Sequence, residues 1–331
     1  MIKLLTNQNL RWLFALLTFF GVFSNSSAAQ STIAVLSSGA SDSDVQTDPY
    51  RSEFFRVDHH PNITINTIDG DIEVVENSGI GGVQVDLYVK REFSLWSGTR
   101  SLDNYRIIMQ KQGNSIIASV EDRRTGRELR SSGSERFTFM VQVPAEASLN
   151  LRSIRGDILA RGVEGKHFIQ NHAGDLTIQD MIGEVRAVST AGDIFLNNLD
   201  GSIYAKSVSG DILADRDSGE VRLRTTTGDI FTSSLSGTLV AGTTSGDITS
   251  DFLDVSVGVH LETTTGDIDL MLPDKRGYSI NASGMNLNFD ELPETNISKD
   301  IGFMNASVEV REGEIPVKLK SVSGTIRVRE N

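Results

Sequence analysis

Apolar and polar residues alternate along most of this chain, and the alternation restarts at a fixed interval. Each repeat is most simply counted from the glycine of a Gly-Asp step. Seven residues before that glycine stand Leu149, His167, Val185, Ile203, Val221, Leu239 and Val259. Five before it stand Leu151, Ile169, Ala187, Ala205, Leu223, Ala241 and Leu261, and two after it every copy has Ile or Leu. Apolar residues at every second position predict strands with one face turned inward. Their recurrence predicts stacked coils in which each strand pairs with its equivalent one coil on. The expected fold is all-β: a parallel β-solenoid (β-helix) with about 18 residues per coil and flanking β-hairpin caps. A right-handed coil is the default for parallel strands.

The turn column consists of Gly156-Asp157, Gly174-Asp175, Gly192-Asp193, Gly210-Asp211, Gly228-Asp229, Gly246-Asp247 and Gly266-Asp267. The first five intervals are 18 residues and the last is 20. An earlier copy stands at Gly70-Asp71-Ile72 and a variant at Gly324-Thr325-Ile326. A second glycine follows nine residues on, at Gly165, Gly183, Gly201, Gly219 and Gly237, so a glycine is expected at each corner, where φ is positive. A three-faced hexapeptide coil does not fit. The residues six after Ile158, Leu176, Ile194, Ile212 and Ile230 are Glu164, Ile182, Asp200, Ser218 and Ser236, and only one is apolar. Calcium-binding nonapeptide rolls need two glycines and an aspartate in each nine residues, a poor match here.

Three residues before the glycine stand Thr67, Ser153, Asn171, Ser189, Ser207, Thr225, Thr243, Thr263 and Ser321. This Ser/Thr-x-x-Gly-Asp-Ile column, preceded by alternating Val, Leu and Ala, resembles the DUF4097 family, also labelled "putative adhesin". The resemblance covers roughly residues 52–331, from an opening coil at 63–72 to a closing coil at 317–326. It implies the solenoid architecture and brings no set of catalytic residues.

The ends of the chain add a compartment. Lys3 and Arg11, an apolar run over 12–23 and the small residues Ser27, Ala28 and Ala29 have the order of a cleaved secretory signal, expected to span 1–29. Residues 30–50 read as a flexible polar linker, and 51–331 as one elongated domain. Within it, 83–143 read as hairpin caps, 146–275 as regular coils, 284–315 as an irregular excursion and 316–331 as the closing coil. The protein is therefore expected in the periplasm or outside the cell, with no integral membrane segment once the signal is removed. There is no cysteine, which excludes disulfides and thiol catalysis. Net charge is −13, and −13 − 2 = −15 without the signal's two cations. Nucleic acid is a poor partner for such a chain.

Candidate chemistry is sparse. The stacked aspartates could be bridged by calcium, but each is expected instead to accept hydrogen bonds from its own turn. The Ser/Thr column is expected to satisfy turn amides and neighbouring hydroxyls. His167 interrupts an inward apolar column and is expected to be a satisfied buried histidine. No zinc set is evident, and no metal or cofactor is expected. Two outward columns remain. Arg152, Arg186, Lys206, Arg222, Arg224, Lys318 and Lys320 make one face basic. Leu159, Phe195, Leu213 and Phe231 form an apolar stripe on the other, a candidate interaction surface for which intramolecular cover by 83–143 is the first expectation. The reading that fits best is a non-enzymatic, adhesin-like or scaffold module binding envelope proteins or cell-wall and extracellular polymers. The alternatives are a polysaccharide-processing enzyme on a β-helix scaffold, and an ice-binding surface built on Thr226, Thr244 and Thr264.

Overall fold

A computed structural model of the protein describes residues 48–91, 102–123, 135–292, 296–300 and 305–331. The expected signal lies outside these residues. Among them, no helix is long and apolar enough to cross a membrane.

Each regular coil contains two strands. Glu164–Ala173 turns into Leu176–Gln179, Ile182–Val188 into Ile194–Asn197, and Asp200–Lys206 into Ile212–Asp215. Every strand pairs in parallel with its counterpart one coil on. Val185, Ile203, Val221 and Leu239 form one ladder of the first sheet. Leu176, Ile194, Ile212 and Ile230 form one of the second. All eight are buried. Because side chains alternate with period two, a slip of one residue would turn this set to solvent, and the apolar pattern therefore fixes the register. The fold is a parallel β-solenoid.

The two corners are made differently. The Gly-Asp corner has a glycine at positive φ in each regular coil, as expected. The opposite corner is turned at Gly162, Asp180, Asn198, Arg216 and Ser234, with φ of 79°, 54°, 57°, 58° and 56°. Four of these five are not glycine, which corrects the expectation of a glycine at each corner. Asp and Asn visit the left-handed region readily, whereas Arg and Ser there cost about 1–2 kcal/mol each. At Arg216 an amide hydrogen bond to the next coil offsets that cost, its N–H donating to the Ser233 carbonyl at 2.9 Å, as Asp180 N–H does to that of Asn197 at 3.0 Å. The second glycine column lies three residues further on, inside the first-sheet strands. Its five glycines hold positive φ, from 101° to 153°, as expected, and they also approach closely: a Cβ on Gly183 would sit 2.2 Å from the Gly165 carbonyl oxygen.

The ends do not follow chain order. Asn62–Asp69, the first coil in sequence, lies between Ser148–Arg155 and Ser115–Asp122, parallel to both. Ile72–Glu76 lies likewise between Ile158–Arg161 and Glu135–Val143. Antiparallel strands then finish this end: Tyr105–Gln112 on the first sheet, and Val83–Arg91 followed by Arg51–Phe55 on the second. The far end repeats the device. Ile315–Ser323 is inserted between Ile248–Thr265 and Tyr278–Ser283, and Thr325–Glu330 between Ile268–Leu272 and Asn286–Glu291. Asn305–Val310 and then Asn296–Asp300 close the first sheet in antiparallel fashion. The 284–315 excursion thus contributes outer strands, and the closing coil is an inner one.

Candidate functional site

The repeat corner is a set of hydrogen bonds between coils. Asp175 N–H donates to Asp157 Oδ1, Asp193 N–H to Asp175 Oδ1, Asp211 N–H to Asp193 Oδ1 and Asp229 N–H to Asp211 Oδ1, each at 2.8 Å. The ladder continues through Asp247 to Asp267, whose Oδ1 accepts from Thr325 N–H at 2.7 Å. Each carboxylate therefore accepts from the next coil and not from its own turn, which corrects the expected local role. Parallel stacking brings the next coil's amide closer to the carboxylate than its own turn does. Stacked carboxylates repel, but one charge-assisted hydrogen bond per coil offsets the repulsion. Burial raises the Asp175 carboxyl, and the neighbouring Asp157 and Asp193 charges add to that against the Asp193 amide hydrogen bond.

The hydroxyl column is a second ladder. Thr225 Oγ1 donates to the Gly210 carbonyl, Thr243 to that of Gly228 and Thr263 to that of Gly246, each at 3.0 Å. Carbonyls, not turn amides or other hydroxyls, are their partners. Asn171 fills the same place with its amide, reaching the Gly156 carbonyl at 2.9 Å. These residues are buried, so an unpaired hydroxyl there would cost about 1–3 kcal/mol. The Gly and Asp columns are accounted for as the joint between coils. No group of three or more His, Cys, Asp or Glu arranged to hold a metal occurs among the described residues. A calcium titration is expected to leave the melting temperature of the protein unchanged, and a rise of several degrees would reveal a site at these carboxylates.

Two buried titratable groups interrupt the apolar columns of the coils. His167 is buried between Leu149 and Val185 in the first-sheet ladder, and neither ring nitrogen has a hydrogen-bond partner. It is not the satisfied histidine expected. Burial depresses its pKa to about 4, against a weaker opposing influence of the Ile182 and Val163 backbone. The second group is Asp217, which follows Val163, Met181 and Leu199 in the buried column seven residues after the glycine. Its Oδ1 accepts from Leu199 N–H at 2.9 Å and its Oδ2 has no partner. Burial raises its pKa to about 7, and the Leu199 hydrogen bond only partly opposes that. The signal was legible as the one acid in an apolar column.

These groups bias stability in opposite directions. The folded state holds the Asp217 proton more tightly than the unfolded chain, so its contribution is fullest below about pH 4 and is lost as pH rises to about 7. His167 contributes fully above about pH 6.5 and loses that contribution as pH falls to about 4. Asp217→Asn keeps an acceptor for the Leu199 amide and removes the charge. It is expected to stabilise the fold by about 2 kcal/mol at pH 8 and by little at pH 4. Urea unfolding of parent and variant at both pH values measures this, and an equal effect at the two would show that the fold does not shift the Asp217 pKa.

The outward faces carry the remaining candidates. Leu159, Thr177, Phe195, Leu213 and Phe231 form one ladder of the second sheet. None of the four apolar members is buried, and Phe231 is 52% exposed. The expectation that 83–143 covers this stripe is corrected. The described strands of that segment extend the two sheets past the first coil instead. An open sheet edge offers unpaired N–H and C=O groups, a stronger attraction for a chain of alternating pattern than a face whose backbone is already paired. Phe231→Ser is expected to change stability by less than about 1 kcal/mol, and Phe195→Ser, half-buried, to lower it by about 1–2 kcal/mol in urea unfolding.

On the first sheet, all seven basic residues of the outward columns are exposed. Sequence reasoning missed the aromatics among them. Phe168, Arg186, Tyr204 and Arg222 form one continuous outward ladder. The Arg152 guanidinium lies over Phe168 at 5.4 Å from the ring centre, and that of Arg186 over Tyr204 at 4.5 Å. Reading every residue six before the glycine, and not only its cations, would have found the alternation. At the N-terminal end a depression of about 480 Å³ is lined by residues including Asp58, His59, His60 and Glu146. Its His60–Glu146 pair, 3.4 Å apart, is solvent-exposed.

Two solved structures and one family model are similar to this chain. A "putative adhesin" of Bacteroides fragilis has a solved structure that is 14% identical, covers 84% of this chain and 96% of its own, and superposes with a TM-score of 0.41. A "putative cell adhesion protein" of Clostridium sporogenes is 11% identical, with 85% and 99% covered and a TM-score of 0.22. No curated protein matches the chain. The family model described as Toastrack DUF4097 matches residues 214–329, a narrower span than the 52–331 of the sequence resemblance. Over residues 214–329 this chain is therefore similar to the Toastrack DUF4097 family.

Proposed function

We propose that this protein is an exported, non-enzymatic, adhesin-like module that binds extended partners in the periplasm or outside the cell. The observation that supports this is the regular stacking of its outward columns. The parallel register is unbroken from Glu164 to Arg224, so each coil presents side chains at the same place as the one before, at about 4.8 Å spacing. A flat surface with a repeating pattern complements a partner that itself repeats, such as a cell-wall or extracellular polymer, and many weak contacts then add. The side chains that break the pattern, His167 and Asp217, are buried in the core and do not form a surface site.

The test uses the secreted chain without its signal, mixed with isolated envelope polymers. Saturable sedimentation with the polymer and no release of reducing ends is expected. Release of sugar fragments would favour the enzyme reading instead.

A further inference from the structure

The first-sheet face combines exposed cations with aromatic rings. The chain is acidic overall, yet Arg152, Arg186, Lys206, Arg222 and Arg224 stand exposed along two adjacent outward columns of five successive coils. The acids nearby on this face are partly committed: Glu184 pairs with Lys166 at 3.5 Å, and Glu220 pairs with Arg222. No ion pair joins Arg152, Arg186 or Lys206 to an acid among the described residues. Cations alone would be a diffuse patch. Here Phe168 and Tyr204 alternate with Arg186 and Arg222 in one ladder, with both rings partly exposed. The guanidinium of Arg186 stacks on Tyr204 and that of Arg152 on Phe168. Stacking holds a guanidinium in a fixed plane with N–H groups at its edge, the arrangement that receives a carboxylate through two hydrogen bonds.

We propose that this face binds an acidic polysaccharide, a chain of uronic-acid sugars lying along the solenoid axis. The inference rests on the binding-module reading and names its ligand class. Charge complementarity selects a polyanion. The aromatic rings select one whose units have an apolar face, as the C–H side of a pyranose does. Phe168 and Tyr204 are two coils apart, about 9.6 Å at the usual strand spacing, which is comparable with the length of two linked sugar rings. Duplex nucleic acid fits less well, since its outer surface is a phosphate backbone that offers the two rings no apolar pyranose face.

Isothermal titration of the secreted chain with oligogalacturonates of increasing length tests this. Affinity is expected to rise by about tenfold or more from the dimer to long oligomers, and to fall with added salt. Arg186→Ala and Tyr204→Ala are each expected to weaken binding by about fivefold to tenfold. Both side chains point outward, so an unchanged melting temperature separates lost contact from lost fold. Tyr204→Phe is expected to bind like the parent, because the ring face and not the hydroxyl makes the contact. Three results would overturn the inference: no binding of long oligogalacturonate, binding indifferent to Arg186 and Tyr204, or duplex DNA binding as tightly. If polyuronate fails while isolated envelope polymer still sediments the protein, the ligand class is wrong and the binding-module reading stands. If both fail, that reading fails as well.

Discussion

Gly210→Val is expected to destabilise the protein by about 3 kcal/mol or more. Two causes add. Gly210 has φ of +148°, a region that β-branched residues avoid. A Cβ there would lie 2.2 Å from the Gly192 carbonyl oxygen and 2.6 Å from its carbon, both backbone atoms of the preceding coil. Relief would require the coils to separate, and the joint has nothing to spare. Gly210 N–H donates to Thr227 O, Thr225 donates to Gly210 O, and Asp211 N–H donates to Asp193. Gly81 provides the control. Its φ is +63° but an added Cβ meets nothing within 4 Å, so Gly81→Ala should cost only about 1 kcal/mol. Urea unfolding of both variants measures the contrast, and equal costs would show that close approach between coils is not what requires glycine.

Deleting residues 315–331 is expected to remove far more than one coil. In a linear solenoid the last repeat can be lost with little effect on those before it. Here the last coil in sequence is an inner coil. Val317, Leu319, Ile326 and Val328 are each at most 2% exposed, and their burial contributes on the order of 10 kcal/mol, comparable with the net stability of a typical domain. Its loss would leave Tyr278–Ser283 and Asn286–Glu291 without their parallel partners. It would also break the Arg311–Glu330 pair. The truncated chain is expected to lose protection from proteolysis throughout 278–310 and to unfold at a clearly lower urea concentration. An unchanged midpoint with 278–310 still protected would mean that the outer strands can dock directly on Ile248–Thr265.

The polar residues of the repeat show a middle level of legibility. That Ser or Thr, Gly and Asp belong at one corner was readable from recurrence alone. Their partners were not, because Asp193 reaches Asp211 across 18 residues of chain, whereas sequence rules for turns look only a few residues away. The same limit hid Tyr204 beside Arg186, neighbours only once the coils are stacked. Asp217 was visible as an exception in an apolar column, but its unpaired Oδ2 was not.

Period-two alternation and an 18-residue repeat were enough to determine the strands, their inward faces and the parallel register, because shifting any coil by one residue would expose Ile194, Ile212 and Ile230 together. The order of coils at the ends was decided only by the tertiary structure. Alternating strands at 62–69, 115–122 and 148–155 carry the same pattern, and nothing local says which should lie in the middle. The choice depends on which strands can have both edges paired at once. It places the first and last coils of the sequence inside, and leaves antiparallel strands to meet solvent.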